Sequence, residues 1–375
     1  MSLNSPSFEP KPQLVLSDAQ KIVLEELNRH LINLNPEQIE ALLKRRKDGS
    51  VDLRGKDFAN LLMRCGVWEN YFNLKTYTDV QMGVRSMPGE DGLVSLLLPK
   101  VDMGASTCQD AQFIGKWPDS GNILSLTADG VSAGIFSGWM AREMVNELVQ
   151  SLASELNDID IFADLNLIMW RINTLVIAAL NKVRAKYEKE IEPLFSELYC
   201  SVNRCDNISR DLKSALQQEV IDGSGSTTLQ ITFEDFARKS LITWQLGDGV
   251  IGLLKENNQP PILWHIGKHY QANTPAQVCL VDFGDEYWQT FLDLHAVMHC
   301  FDLTDVAGYF SGTDGAIGAV GAHLNQVLQK WLSEGCQNKA TEVGAQIAAV
   351  AKPVADDDLA LALRCFDNAK TDPSL

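Results

Sequence analysis

The chain has 375 residues, 45% of them hydrophobic, and a formal net charge of −17 at pH 7. That length and apolar content support a sizeable core in one large domain or two ordinary ones, which excludes disorder as the default state. The acidic balance excludes a general nucleic-acid binder, which needs a basic footprint to displace counterions, and disfavours docking on anionic lipid.

Residues 1–13 are polar and Pro-rich, without the basic start and apolar stretch of a signal peptide, and no apolar run approaches the length of a membrane span. The expected location is the cytoplasm, with no membrane partner. Eight cysteines are scattered with no Cys-x-x-Cys pair, so reduced thiols, several of them in the core, are expected rather than a disulfide or zinc framework.

Ser17 with Gln20 three residues on has the form of a capping box, and Asn35 followed by Pro36 starts a second helix. A third apolar stretch covers residues 58–68, so residues 1–75 read as a helical extension that is regulatory or selects a partner. Asp48 to Asp52 hints at a calcium loop. With Gly49 in the fixed glycine position, however, the first ligand falls on Lys44 and the last on Gly55, so the expectation is an Asp-Gly turn between helices. Lys44 to Lys47 reads as a solvated helix end.

From about residue 77 the pattern turns to strands. Residues 76–86 and 93–101 flank Pro88 to Gly92 and predict a hairpin, a short strand covers 111–114, and another ends at Asp129. Residues 138–220 read as mainly helical, with the longest periodic run at 162–187, whose aliphatic stripe is core. Strands follow at 229–233, 240–245 and 250–255, the last two joined by a turn holding Asp248. A strand then leads to Thr313, Asp314 and Gly315, helices are expected at 322–333 and 341–351, and a last strand begins after Asp356, Asp357 and Asp358. His295 and His299 share one face if their stretch is helical, but no Glu follows His295 as a metalloprotease helix requires.

The chemistry lies in Asp110, Asp129, Asp314 and Asp357, with Asp248 similar in setting. Each stands at the end of an apolar strand or in the turn beside it. Hard divalent ions take such oxygen ligands, and two ions bridged by one carboxylate hold a hydroxide at neutral pH and clamp a phosphoryl group. Asp356 replaces Asp357 if the register slips by one.

The ordered set Cys108-Gln109-Asp110-Ala111, Ala128-Asp129-Gly130, Gly225-Ser226-Thr227-Thr228, Leu246-Gly247-Asp248-Gly249, Thr313-Asp314-Gly315 and Asp357-Asp358 resembles the metal-dependent type-2C protein serine/threonine phosphatases, in their bacterial branch, over residues 96–370. The resemblance implies an α+β fold: a four-layer α-β-β-α sandwich of two antiparallel sheets flanked by helices, here a catalytic domain at 76–370 with a tail at 371–375. It implies two Mn²⁺ or Mg²⁺ ions per active site. Asp129 would bridge both, Gly130 would offer its carbonyl, Asp110 would hold one ion, Asp314 and Asp357 the other, and Asp248 would serve a third, weaker site. It also implies hydrolysis of phosphomonoesters on phosphorylated proteins by direct attack of the bridging water, with a cognate Ser/Thr kinase among the candidate partners.

The chain departs from the family's pattern in having Val131 where many members have a His, no Arg between Val101 and Asp110 to grip phosphate, Gln109 in place of Glu, and Ala360 in place of Thr or Ser. The alternative reading is a catalytically weak or inactive scaffold that binds a phosphoprotein or kinase.

Overall fold

A computed structural model describes residues 16–64, 85–86, 93–98, 109–117, 120–131, 134–155, 164–206, 208–222, 225–255, 262–265, 276–319, 346–347, 349 and 358–366. They form an α+β fold of helices and antiparallel sheets. Ser17 caps the first helix as its sequence predicts. Its hydroxyl accepts from the Gln20 N–H at 3.2 Å, and the Gln20 side chain accepts from the Ser17 N–H at 2.8 Å. The helix, α1 (Asp18–Ile32), buries Val23, Leu27 and Leu31. Asn35 and Gln38 make the same exchange at the start of α2 (Pro36–Ala41).

The next turn corrects the sequence reading. Strands β1 (Leu43–Arg45) and β2 (Val51–Leu53) form a hairpin before α3 (Gly55–Arg64). Gly49 supplies the left-handed φ of +86° at its tip, and the Asp48 carboxylate accepts from the Ser50 N–H at 3.0 Å. Asp48 and Gly49 therefore turn a hairpin rather than join helices, and the basic run from Lys44 lies in a strand and its turn rather than at a helix end.

The remaining elements are β3 (Arg85–Ser86), β4 (Leu93–Leu98), β5 (Ala111–Lys116), β6 (Ile123–Ala128), α4 (Ser137–Glu155), α5 (Leu165–Glu190), α6 (Glu192–Asn203), α7 (Arg210–Asp222), β7 (Ser226–Thr227), β8 (Leu229–Asp235), β9 (Ser240–Leu246), β10 (Val250–Lys255), β11 (Ile262–His265), β12 (Val278–Cys279), α8 (Asp285–His295), β13 (Val297–Asp302), β14 (Val306–Gly312), α9 (Asp314–Ala319) and β15 (Leu359–Cys365). One sheet runs β13-β9-β8-β6-β5-β3 and a second runs β11-β10-β14-β15-β4. The N-terminal elements pack on α6 and α7: the Gln20 amide donates to the Glu190 carbonyl at 3.0 Å, and Arg45 meets Asp211 at 3.0 Å.

The hairpin expected across Pro88 to Gly92 is not made. β3 pairs with β5, whereas β4 pairs with β15 in the other sheet. Leu93 is buried there with Ile114, Ile123 and Ala362, an inter-sheet cluster that a local hairpin does not offer. The two histidines also part: α8 ends at His295 and His299 lies on β13, so they share no helix face. The helix expected at 322–333 and most of the one at 341–351 lie outside the described residues. Cys200, Cys205, Cys279 and Cys300 are free thiols, but Cys200 and Cys300 are exposed rather than in the core. Cys365 is disulfide-bonded, against expectation. Spacing along the chain does not report the Cα approach that a bridge requires.

In the six-stranded sheet the apolar side chains turn outward to the helices. Leu124, Leu126, Ile231, Phe233, Ile242 and Trp244 join one core with Met140, Met144, Leu148, Ile172, Val176 and Leu180 of α4 and α5. The other face, toward the second sheet, is buried and sets polar side chains beside Ile114, Ile123 and Leu241. The Ser125 hydroxyl bonds Thr232 and lies 3.2 Å from Ser311 Oγ; Thr127 donates to Gln230 at 3.0 Å, and Gln230 to Gln245 at 3.3 Å. At the far end Tyr309 donates to Glu234 at 2.9 Å, with the Arg364 guanidinium 3.5 Å from the same carboxylate.

Glu234 and Arg364 are both buried, so removing the cation leaves a carboxylate short of its partner. We expect Arg364→Leu to cost about 3 kcal/mol in urea unfolding near neutral pH. Burial already raises the Glu234 carboxyl above its ordinary value, against the lowering effect of Arg364. In the variant the folded state holds that proton more tightly than the unfolded chain. The deficit should therefore shrink as the pH falls below that raised value and grow as the pH rises through it.

Candidate functional site

One end of the two facing sheets brings two of the predicted acids, Asp110 and Asp129, together. Asp110 precedes β5 and Asp129 follows β6, the two strands being neighbours with Ala111 opposite Ala128. Their antiparallel register therefore places both carboxylates at the same edge. Asp110 is 2% exposed. The Thr313 hydroxyl, at the end of β14, donates to its Oδ2 at 2.7 Å, and the Ala360 N–H donates to Thr313 Oγ1 at 3.0 Å. One threonine thus ties an acid of the first sheet to two strands of the second.

Asp358 closes the group from the start of β15, its Oδ2 accepting from the Gln109 N–H at 2.8 Å. Burial pushes the Asp110 carboxyl well above the usual carboxylate range, and the nearby carboxylates of Asp129 and Asp358 push it the same way. Asp129 is also in hydrogen-bond contact with Asp110.

Asp129 is held from behind by its backbone. Its carbonyl accepts from the Thr228 N–H at 2.9 Å and from the Thr227 hydroxyl at 2.8 Å. Gly130 is required by space: a Cβ there would stand 2.6 Å from the Gln109 carbonyl oxygen and 2.8 Å from the Ser137 carbonyl carbon. Gly315 is tighter, its added Cβ falling 1.8 Å from the Asp358 carbonyl oxygen. Asp314, the first residue of α9, therefore lies between Thr313, bonded to Asp110, and a glycine pressed on Asp358.

Asp248 sits in the β9–β10 turn at the same end. Gly247, at φ +111°, abuts Thr228, and Gly249 abuts the Gly312 carbonyl. Asp357 and Asp356 lie outside the described residues. The sequence reading gave no separate role to Asp358, Thr313, Thr227 or Gln109; the run of three acids at 356–358 was the one signal for Asp358.

Two carboxylates in contact, with a close-packed glycine backbone beside them, are a donor set of the hard-oxygen type. A Mg²⁺-like ion needs only one or two carboxylates together with carbonyl and water oxygens. Among the described residues no group of three or more His, Cys, Asp or Glu is spaced to hold a metal ion. The residues fit an ion held by the Asp110–Asp129 pair.

No protein-family profile matches the chain, and no curated protein matches it. Among solved structures, the serine/threonine phosphatase Stp1 from Staphylococcus aureus is similar at 14% identity and a TM-score of 0.45, over 76% of this chain and 98% of that one. A bacterial serine phosphatase is similar at 13% identity and a TM-score of 0.41, over 73% of this chain and 97% of that one. The catalytic domain of the serine/threonine protein phosphatase PstP, in complex with two manganese ions, is similar at 13% identity and a TM-score of 0.42, over 73% of this chain and 98% of that one.

The glycine contacts give a direct check. The atom that meets a Cβ at position 315 is backbone, which cannot rotate away. Gly315→Ala is therefore expected to lower stability by about 1–3 kcal/mol in urea unfolding. An equally stable variant would show that Gly315 is not pressed against the Asp358 backbone.

Proposed function

We propose that the chain is a metal-dependent phosphoprotein phosphatase, hydrolysing phosphomonoesters on Ser or Thr by direct attack of water without a phospho-enzyme intermediate. The observation that carries this reading is Asp110, buried and in contact with a second carboxylate, with a third beside it. A protein has no structural reason to concentrate like charges in a buried corner, and a cation relieves the repulsion. The ordered motifs around Asp110, Asp129, Asp248 and Asp314 support the same reading.

When bound, two Mn²⁺ or Mg²⁺ ions supply a water acidic enough to attack at neutral pH and positive charge for the transferred phosphoryl group. The protein's part is to orient the ligands. Asp110 and Asp129 are the principal holders, with Asp314 and Asp357 proposed for the second ion and Asp248 for a third. Thr313 fixes the rotamer of Asp110 through its 2.7 Å bond. Thr227 and Thr228 engage the Asp129 carbonyl, which sets the direction of the Gly130 backbone. Asp358, bonded to the Gln109 N–H, positions the residue before Asp110 rather than facing an ion as a free ligand.

In the same reading the fold is a four-layer α-β-β-α sandwich. Residues 1–75 form a partner-selecting extension to the catalytic domain at 76–370. The substrates are cytoplasmic phosphoproteins, with a cognate kinase as a further partner. The scaffold reading draws on a different observation, that Val131 stands where many members of the resembled family have a His and no Arg lies between Val101 and Asp110.

Hydrolysis of p-nitrophenyl phosphate with Mn²⁺, before and after chelation, separates the two. Asp129→Asn and Asp314→Asn should each reduce turnover at least about 100-fold, since even outer partners of metal ligands cost 10–100-fold. Chelator-resistant turnover, or turnover indifferent to both changes, would refute the metal mechanism. Mn²⁺ binding without any turnover would favour the scaffold.

A further inference from the structure

We propose that Arg184 is a positioning residue for the Asp129–Gly130 turn, acting through two short strands; the inference rests on reading that turn as part of a metal site. Arg184 lies on α5 and is 7% exposed. Its Nε donates to the Leu280 carbonyl at 3.1 Å and its Nη2 to the Val281 carbonyl at 3.2 Å. Its Nη1 donates to Asn181 Oδ1 at 3.0 Å and to Asp282 Oδ1 at 3.1 Å. A buried cation has to be paired. This one spends its planar fork on two successive backbone carbonyls, a geometry that a lysine ammonium does not reproduce.

The clamped residues continue β12 directly. β12 pairs with β7, Val278 opposite Thr227 and Cys279 opposite Ser226, and the Leu280 N–H donates to the Gly225 carbonyl at 3.0 Å. The contact is close: a Cβ on Gly225 would fall 2.7 Å from Leu280 Cδ1. On its other side β7 meets the acid's turn. Gly130 bridges Thr227, and the Val131 N–H donates to the Ser226 carbonyl at 3.0 Å. Thr227 Oγ1 and the Thr228 N–H then reach the Asp129 carbonyl at 2.8 and 2.9 Å.

Residues 129–131, 225–228 and 278–280 thus make a small ladder set beside the main sheets, with Asp129 at one edge and the Arg184 clamp at the other. Slackening the clamp loosens the ladder before it disturbs the sheets, because β5 and β6 are paired independently along their length. The cost falls on the placement of the acid's turn.

The test compares the full chain with Arg184→Lys, which keeps the charge and loses the fork, and with Asp282→Ala, which removes one acceptor and leaves the carbonyl contacts. Amide hydrogen exchange is followed by NMR and Mn²⁺ affinity by calorimetry. Arg184→Lys should exchange about tenfold faster at Val131 and Thr228, with β5 and β6 amides unchanged, and should bind Mn²⁺ about tenfold more weakly. Asp282→Ala should move both readouts the same way by less. Wild-type exchange at Val131 and Thr228 in Arg184→Lys, with acceleration confined to Leu280, overturns the proposal. A wild-type chain that takes up no Mn²⁺ overturns the metal-site reading separately, while the two amides still decide the relay.

Discussion

The arrangement depends on one electrostatic constraint: a fully buried acid, Asp110, has to coexist with the carboxylates of Asp129 and Asp358. Crowding of that kind is sustained by neighbours that hold each group in place. Thr313 grips Asp110, the Gln109 N–H occupies Asp358, and two donors from Thr227 and Thr228 fix the backbone of Asp129. These supports come from both sheets and from the small ladder beside them, so the site is a product of tertiary docking rather than of any single loop.

The interior follows from the same need. The six-stranded sheet turns most of its apolar side chains toward the helices, and its serines, threonines and glutamines toward the other sheet beside Ile114, Ile123 and Leu241. A buried polar layer is tolerable only when its members bond one another. The run from Thr127 through Gln230 to Gln245 and the Gly249 carbonyl meets that condition over four strand ends. The layer leads toward the acids at one end and finishes in the Glu234–Arg364 pair at the other.

Much of this was legible along the chain. The capping boxes at Ser17 and Asn35 announce α1 and α2 because a cap is a local exchange of hydrogen bonds. The strand-then-acid pattern likewise put Asp110 and Asp129 at strand ends. What stayed hidden was non-local. Nothing near residues 85–98 says that β3 and β4 part to different sheets, since the reason is the burial of Leu93 against Ile114, Ile123 and Ala362. The short hairpin after α2 was lost because three-residue strands carry too little pattern to compete with the helical run before them. Asp358 has no pattern of its own: three adjacent acids look alike along the chain, and only the fold shows that Asp358 accepts from the Gln109 N–H.

The pairing of β4 with β15 sets the order in which the molecule can be completed. Residues 93–98 leave the ribosome well before their partner at 359–365. Until then β4 is an apolar edge without its neighbour, and Thr313 has no Ala360 to bond. Closure of that sheet is therefore a late, long-range event of the kind that slows folding. The acid corner becomes whole only when these two segments, far apart in the sequence, meet, so Asp110 is not held by Thr313 and Ala360 until β15 is in place.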